Sequence, residues 1–265
     1  FDAGSSVTLT TAPHQVSYSL DGGSTVAAHG AGGLTDGAAG VGGTATGGTA
    51  TLSATNGGTI ALPINATRST VSARAFGGDS SVDGGSGGLA TGGTTQMLID
   101  GGTITGAELN FSAFGFGGSS DEAILNIDGG DAIGGSVIIT VTNNGVFNGG
   151  IVGTQPAATG GNGSGTGNGG SGSGGLGQYT FTNADVTLTG RNVLRGGGNG
   201  GTGAVGGNGT SAPVVFTATD TTLQILPDVN DVAELEIGSL ALAAAGTQSA
   251  GNATGTTVDV NFTNS

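Results

Sequence analysis

Short stretches in which aliphatic residues alternate with Ser or Thr recur along the whole chain. Two clear examples are residues 50–55 and 136–142. A period of two is typical of a β-strand with one buried and one solvated face. The best helix candidate, residues 232–245, is interrupted by Gly238 and lacks a capping box, so strand or at most a short helix is expected there.

Many of these strand-like stretches end in the same phrase: Asn or Asp, a glycine or a glycine pair, and another apolar residue. The phrase occurs at Asp21, Asn56, Asp100 and Asp128, with weaker copies at Asn143, Asn183 and Asp220. Asn, Asp and Gly tolerate positive φ, so each phrase predicts a hairpin or the corner of a coil. A recurring strand–turn unit predicts stacked units with one shared core, although the spacing from one phrase to the next is irregular.

Glycine is concentrated between the strand-like stretches. The chain has 61 glycines, and they cluster at residues 30–48, 77–93, 115–120, 159–177, 196–209 and 246–255. Most clusters follow a strand, so in a stacked array they would emerge on one face. Two interpretations remain open. The clusters are flexible linkers, or they pack as extended, backbone-bonded layers in which only glycine fits.

The supply of large side chains limits the shape of the core. Aromatic residues make up 4% of the chain and Trp is absent, which favours a narrow aliphatic core repeated along an axis. The fold prediction is therefore all-β: an elongated parallel β-helix (β-solenoid) over 1–265, with glycine-rich loop insertions on one face. Coils of ~20–30 residues would give ~9–13 coils. The strand-like ends, 1–14 and 256–265, are expected to be able to pair with neighbouring copies.

Charge and cysteine content exclude several partners and chemistries. Four Arg, no Lys and a net charge of −14 argue against nucleic acid and anionic membranes as partners. No stretch approaches the roughly 20 apolar residues that membrane insertion needs. The absence of Cys excludes thiol catalysis and Cys-ligated metals. No signal peptide opens the sequence, so we expect a mature product or an excised segment.

The Thr-rich strand, Asx-Gly-Gly turn, second strand and glycine-rich insertion resemble the glycine-rich β-strand-repeat surface proteins of Gram-negative bacteria. These are secreted passengers of the autotransporter and filamentous-haemagglutinin type. The resemblance covers the chain from about Gln15 to Asn264. It implies a β-solenoid exposed outside the cell, at the bacterial cell surface, acting in adhesion, biofilm formation or a surface fibre.

Aspartates in turns suggest calcium, which takes about six to eight oxygen ligands. The weak candidates are Asp79, Asp83, Asp228 and Asp231, with Glu234 and Glu236 near the last two and with Asp100, Asp128 and Asp131 in similar turns. The alternative is that Asp serves as an ordinary turn residue. No other cofactor is expected.

Signals for catalysis are sparse. His14 and His29 have no ligand-type neighbour at metal-binding spacing. Asp121 and Glu122 are adjacent, so on a strand they would point to opposite faces, which argues against a glycosidase pair. The Gly-x-Ser-x-Gly spacing at 84–88 has no helix after it and is not a nucleophile elbow.

We therefore expect a non-enzymatic extracellular protein, a stalk or matrix component that acts as an adhesin. The alternative is a self-assembling filament subunit joined by strand addition at its termini. A carbohydrate-active β-helix enzyme is a third hypothesis, for which Arg191 and Arg195 are the one close pair of cations. An ice-binding surface, a fourth, would need regular Thr-x-Thr rows. The expected partners are further copies of the chain, or a surface or carbohydrate ligand.

Overall fold

The computed structural model describes residues 6–11, 18–19, 25–34, 40–62, 68–120 and 125–265. Within these ranges the chain is all-β and contains no α-helix. The strands are β1 (Ser6–Thr11), β2 (Tyr18–Ser19), β3 (Thr25–Ala27), β4 (Gly30–Ala31), β5 (Ala45–Thr46), β6 (Thr49–Thr55), β7 (Thr59–Ala61), β8 (Ser69–Ser72), β9 (Ala75–Phe76), β10 (Ala90–Thr91), β11 (Thr94–Asp100), β12 (Thr103–Ser112), β13 (Gly115–Phe116), β14 (Ala132–Ile133), β15 (Ser136–Thr142), β16 (Val146–Gln155), β17 (Ala157–Thr159), β18 (Gly172–Ser173), β19 (Leu176–Thr182), β20 (Asp185–Thr189), β21 (Arg191–Asn199), β22 (Gly203–Val205), β23 (Gly209–Thr210), β24 (Val214–Thr219), β25 (Thr222–Leu226), β26 (Glu234–Leu242), β27 (Gly246–Ser249), β28 (Ala253–Thr254) and β29 (Val258–Thr263). The segment 232–245 thus contains a strand, β26, rather than a helix.

The repeat of the chain is visible in a seven-stranded sheet, here called the first sheet. Its order is β1-β6-β11-β15-β19-β24-β29, and every neighbouring pair is parallel. Thr49 pairs with Thr94, Thr94 with Ser136, and Gly177 with Val214, which are steps of 45, 42 and 37 residues. The shorter coil expected from the sequence is therefore wrong. Each round is longer because the chain also visits a second sheet and a glycine-rich excursion before it returns.

The residue directly after each strand of the first sheet, from β6 onward, has a positive φ. These residues are Asn56, Gly101, Asn143, Asn183, Asp220 and Asn264, with φ between 46° and 63°. The predicted corners at Asn56, Asn143 and Asn183 are confirmed. At Asp100 the left-handed residue is the following glycine. Asp128 lies elsewhere in the round, beside a glycine pair, and this explains why the spacing of the phrases is irregular. Asp21 lies outside the described residues.

The inward side chains of the first sheet form columns of complementary size. One column runs through Leu52, Met97, Ile139, Tyr179 and Phe216, each in register with the next. All five are at most 2% exposed. Because each side chain stacks on the corresponding position one round away, a narrow core can be filled with few aromatics. Thr95 interrupts the apolar interior: its Oγ1 is buried and has no hydrogen-bond partner.

A fourteen-stranded sheet, the second sheet, supplies the opposite wall of this core. Its column Ile60, Ile104, Phe147 and Val186 is in register and belongs to the same buried apolar cluster as the first-sheet column. A third, six-stranded sheet, β28-β23-β18-β14-β10-β5, carries the glycine-rich return of each round to the first sheet.

The glycine clusters pack against each other as two facing layers of backbone, here called the glycine layer. Its defining feature is a chain of backbone hydrogen bonds that runs back and forth between the two layers and from round to round. Each N–H donates to the preceding carbonyl in the series Gly33, Gly43, Gly78, Gly88, Gly118, Gly130, Gly161, Gly170, Gly201 and Gly207. The interpretation of the clusters as flexible linkers is wrong for these residues, and the backbone-bonded alternative is confirmed.

Close approach explains why these positions are glycine. A Cβ added to Gly118 would lie 2.0 Å from the carbonyl oxygen of Gly78, and one on Gly88 would lie 2.1 Å from that of Gly43. No side chain fits between two backbones that share such hydrogen bonds. Where the layer has a little more room, Ala45, Ala75 and Ala90 form a small buried cluster of their own.

Candidate functional site

A concave trough of about 690 Å³ lies on the surface of the described residues. Its lining comes from successive rounds of the chain: Arg68 from one, Gly106 and Glu108 from the next, then Asn148, then Gly190 and Arg191, and finally Asn230. Five rounds at ~4.8 Å spacing make the trough about 19 Å long. It therefore runs across the strands, in the direction in which the rounds stack.

Unequal corners create this trough. Between β20 and β21 the chain turns with one residue, Gly190, at φ +78°. In the next round the same corner, between β25 and β26, takes seven residues, 227–233. A Cβ on Gly190 would lie 3.2 Å from Cβ of Asp228, so the longer corner rises directly beside the short one. The short corner therefore forms part of the floor of the trough, and the long corner forms one of its walls.

A buried asparagine fixes the floor from beneath. The Asn192 side chain is fully buried, and its Oδ1 accepts a hydrogen bond of 2.7 Å from the Ile151 backbone N–H. Its Nδ2 donates to the Gly190 carbonyl at 3.0 Å. Because both ends of the amide are satisfied, the corner is held in one conformation, which a preformed binding surface needs.

The charges in and beside the trough are paired. Arg68 lies 3.2 Å from the Glu108 carboxylate. Arg191 contacts Glu234 at 3.1 Å and Glu236 at 3.0 Å, and Arg195 also binds Glu236. The hydrogen bond from Arg195, with the positive charges of both arginines, holds the pKa of Glu236 below its usual range. The predicted close pair Arg191 and Arg195 is thus joined by one shared carboxylate.

Asp228, one of the calcium candidates, is engaged by its own loop. Its Oδ1 accepts the backbone N–H groups of Asn230 at 2.8 Å and Val232 at 3.1 Å. These hydrogen bonds lower the pKa of Asp228. Asp231, at φ +60°, donates its N–H to the Asp228 carbonyl, so the two aspartates build the turn together.

The other calcium candidates join successive rounds. Asp79 Oδ1 accepts the Ser119 N–H at 2.6 Å, and Asp83 Oδ1 accepts the Asn126 N–H at 2.8 Å. Each is a link between equivalent positions of neighbouring rounds. In the described part of the chain, no three His, Cys, Asp or Glu side chains gather where they could hold a metal ion. Calcium binding stays a prediction that these contacts do not test.

The remaining predicted site residues are dispersed. His29 Nε2 lies 2.8 Å from Ser72 Oγ, and burial and the nearby Arg74 lower the pKa of His29. Ser86, in the Gly-x-Ser-x-Gly stretch, donates its backbone N–H to the Gly40 carbonyl within the glycine-rich excursion. His14, Asp121 and Glu122 lie outside the described residues.

Sequence reasoning missed the convergence of Arg68, Glu108 and Asn148. They are far apart in the sequence, and only the step between paired strands brings them to one surface. It also missed a row of rings on the outer face of the second sheet. Phe76 lies 5.1 Å from Phe116, measured between ring centroids. The separation of Phe76 and Phe116 in the sequence would have predicted this row if the length of a round had been known.

The last described round is open to solvent on its inward face. Val258, Val260 and Phe262 are 43%, 43% and 54% exposed. Their partners one round earlier, among them Val214 and Phe216, are fully buried. The inward columns of the first sheet therefore reach the surface at β29.

Comparison of the chain with protein-family models, with curated proteins and with solved structures finds no match in any of the three. The resemblance to glycine-rich bacterial surface proteins therefore stays a prediction. Among the described residues, no helix has the length and apolar character needed to cross a membrane.

Proposed function

We propose that the chain is a β-solenoid with a structural and adhesive role, a stalk or matrix component at the outer surface of a bacterial cell. The observation that carries this proposal is the unbroken register of the first sheet. Equivalent residues of successive rounds pair in parallel from β1 to β29. Such an array grows in one direction and suits a spacer that holds binding surfaces away from the cell.

Two further observations support the structural part. The glycine layer extends each round by a thin, backbone-bonded layer, which widens the array without requiring large side chains. The net charge of −14 keeps such an extended surface from associating non-specifically.

The solenoid is tested by crosslinking through introduced cysteines, since the chain has none of its own. Thr142 and Thr182 are register partners, so Thr142→Cys with Thr182→Cys is expected to form a disulfide readily. The matched control combines Thr142→Cys with Thr219→Cys, two strands apart at ~9.6 Å, beyond disulfide reach. Equal crosslinking of both pairs, or of neither, would contradict the register.

The adhesive part is tested separately. The chain is displayed on a non-adherent bacterium, and cells retained under flow on glass and on polysaccharide-coated surfaces are counted. We expect higher retention than for cells without the chain. Equal retention would overturn the adhesive role and leave the solenoid proposal intact.

The open last round favours a second candidate, a filament subunit. Its exposed inward side chains, Val258, Val260 and Phe262, lie where a further round would cover them. A second copy could add β1 to the free edge of β29 in the same parallel direction, a head-to-tail contact that does not close. Electron microscopy of purified protein distinguishes the two: long uniform filaments support this candidate, and discrete particles at high concentration contradict it.

A further inference from the structure

We propose that the trough binds a neutral, linear polysaccharide whose chain lies along the stacking direction. The inference rests on the proposed adhesive function and names the ligand class through which it would act. The shape provides the first argument. The trough crosses five rounds, so its polar groups recur at the ~4.8 Å spacing of parallel strands. A ligand that is itself a linear repeat can meet such a surface at several successive points.

The lining provides the second argument. The lining contains two arginines, Arg68 and Arg191, and two carboxylates, Glu108 and Asp228, so the formal charges of the lining itself cancel. This balance stands out in a chain with a net charge of −14 and four arginines in total. Arg191 is also ion-paired with Glu234 and Glu236 beside the trough. A carboxylate held beside a guanidinium accepts from one sugar hydroxyl while the guanidinium donates to its neighbour. Neutral hydroxyl-rich rings therefore match the trough better than a polyanion or a polycation.

The floor provides the third argument. Gly190 lies in the floor, and Asn192 holds it from beneath. The exposed Asn148 side chain, at mid-trough, makes no hydrogen bond within the described residues and offers both a donor and an acceptor. The volume of the trough, about 690 Å³, is within the range of sites that bind small molecules such as saccharides.

Affinity electrophoresis suits this acidic protein, since it migrates well in native gels. The probes are gels containing a soluble β-glucan, a mannan, a dextran or, as the anionic comparison, alginate. We expect at least one neutral polymer to retard the protein more than alginate does. Retardation by alginate alone, or by none of the polymers, would overturn the proposal.

Two variants locate the binding. Thr105→Trp fills the middle of the trough from an outward strand position and is expected to weaken retardation by about tenfold. Thr140→Trp makes the same change on the first sheet and is expected to have no effect. Asn148→Ala, which removes polar atoms without adding bulk, is expected to weaken binding less. Retardation equal in all variants would place the ligand elsewhere and overturn the proposal.

A reducing-end assay with the retarding polymer separates binding from cleavage. We expect no new reducing ends, and their release would overturn a purely adhesive site. The disulfide test of the register uses no sugar, and cell retention on bare glass uses none either. A trough that binds no polysaccharide is therefore distinguishable from a chain that lacks the proposed structural and adhesive function.

Discussion

The aliphatic core and the glycine layer solve the same packing problem with opposite means. In the core, large side chains such as Phe111 and Tyr179 fill the space between two sheets and are fully buried. In the glycine layer the space between the two layers of backbone is so small that the backbones themselves hydrogen-bond, as Gly118 does to Gly88 at 3.0 Å. The first arrangement gains stability from buried apolar area, the second from satisfied backbone groups at close contact.

This difference teaches how a chain with 4% aromatics can build a wide cross-section. The core is expected to tolerate changes of side-chain shape and to suffer from loss of volume. The glycine layer is expected to suffer from any gain of volume, because a backbone oxygen cannot move aside as a flexible side chain can. The two regions should therefore respond to substitution with opposite dependence on size.

The largest effect is expected in the core. Phe111→Ala removes a fully buried ring and is expected to lower the free energy of unfolding by about 4 kcal/mol. The matched control is Phe262→Ala, because that ring is 54% exposed, and its cost should stay below about 1 kcal/mol. Urea denaturation followed by circular dichroism measures both. Equal losses of unfolding free energy in the two variants would show that stability does not depend on side-chain volume in the core.

The glycine layer is expected to respond to a single added methyl. Gly118→Ala places Cβ 2.0 Å from the Gly78 carbonyl oxygen and should cost about 3 kcal/mol. Gly255→Ala is the control, since nothing lies within 4 Å of its added Cβ. The control should be neutral or slightly stabilising, as expected where glycine is not required. If Gly118→Ala behaved like the control in the same denaturation experiment, the close packing of the layer would be refuted.

A smaller effect tests the hydrogen bond inside the core. Tyr179 shares a hydrogen bond with Thr154, and burial raises the pKa of the Tyr179 phenol well above its ordinary value. Tyr179→Phe should cost about 1 kcal/mol at neutral pH, because Thr154 loses a buried partner.

The same phenol predicts alkaline behaviour. Since the folded pKa is raised, the folded state favours the protonated form, and this contribution is complete below the ordinary tyrosine pKa and is lost as pH rises above it. Tyrosinate absorbance during alkaline titration should show Tyr179 ionising together with unfolding. Ionisation of both tyrosines while the protein remains folded would contradict the burial of the Tyr179 phenol.

The smallest effect is expected outside both regions. Glu236→Gln breaks the pairing with Arg191 and Arg195, but the two arginine side chains are 56% and 45% exposed, so the cost should stay below about 1 kcal/mol. The lowered pKa of Glu236 means that its ion pairs are present above the ordinary Glu pKa and are lost as pH falls through the folded value. The stability difference between wild type and variant should therefore vanish in acid. A difference that persists there would assign the effect to packing rather than charge.

Local signals made the strands and several corners predictable. The alternation in residues 136–142 identified β15, and the Asx-Gly phrases at Asn56 and Asn143 identified corners, because positive φ strongly favours Asn and Gly. The length of a round was not predictable in the same way. The Asp128 phrase carries the same residues as the corners yet lies beside the glycine layer, so local composition alone assigned it wrongly.

The candidate site could be predicted even less. Arg191 and Arg195 are close in sequence and are predictable as a pair, whereas Arg68, Glu108 and Asn148 meet only through the stacking of rounds. The sequence also places Asp79 and Asp83 in turns. Their actual contacts, with Ser119 and Asn126, lie one round away and leave no local signature.

Sequence by itself determined the all-β character, the buried and exposed faces of the strands and the acidic, cysteine-free surface, because these depend on side-chain chemistry at neighbouring positions. Only the tertiary structure decided how long a round is, that the glycine clusters are a bonded layer and that a trough opens at the unequal corners. The physical reason is that glycine is compatible with both flexible and tightly packed backbone. What distinguishes the two is a hydrogen-bond partner one full round away, which no local pattern encodes.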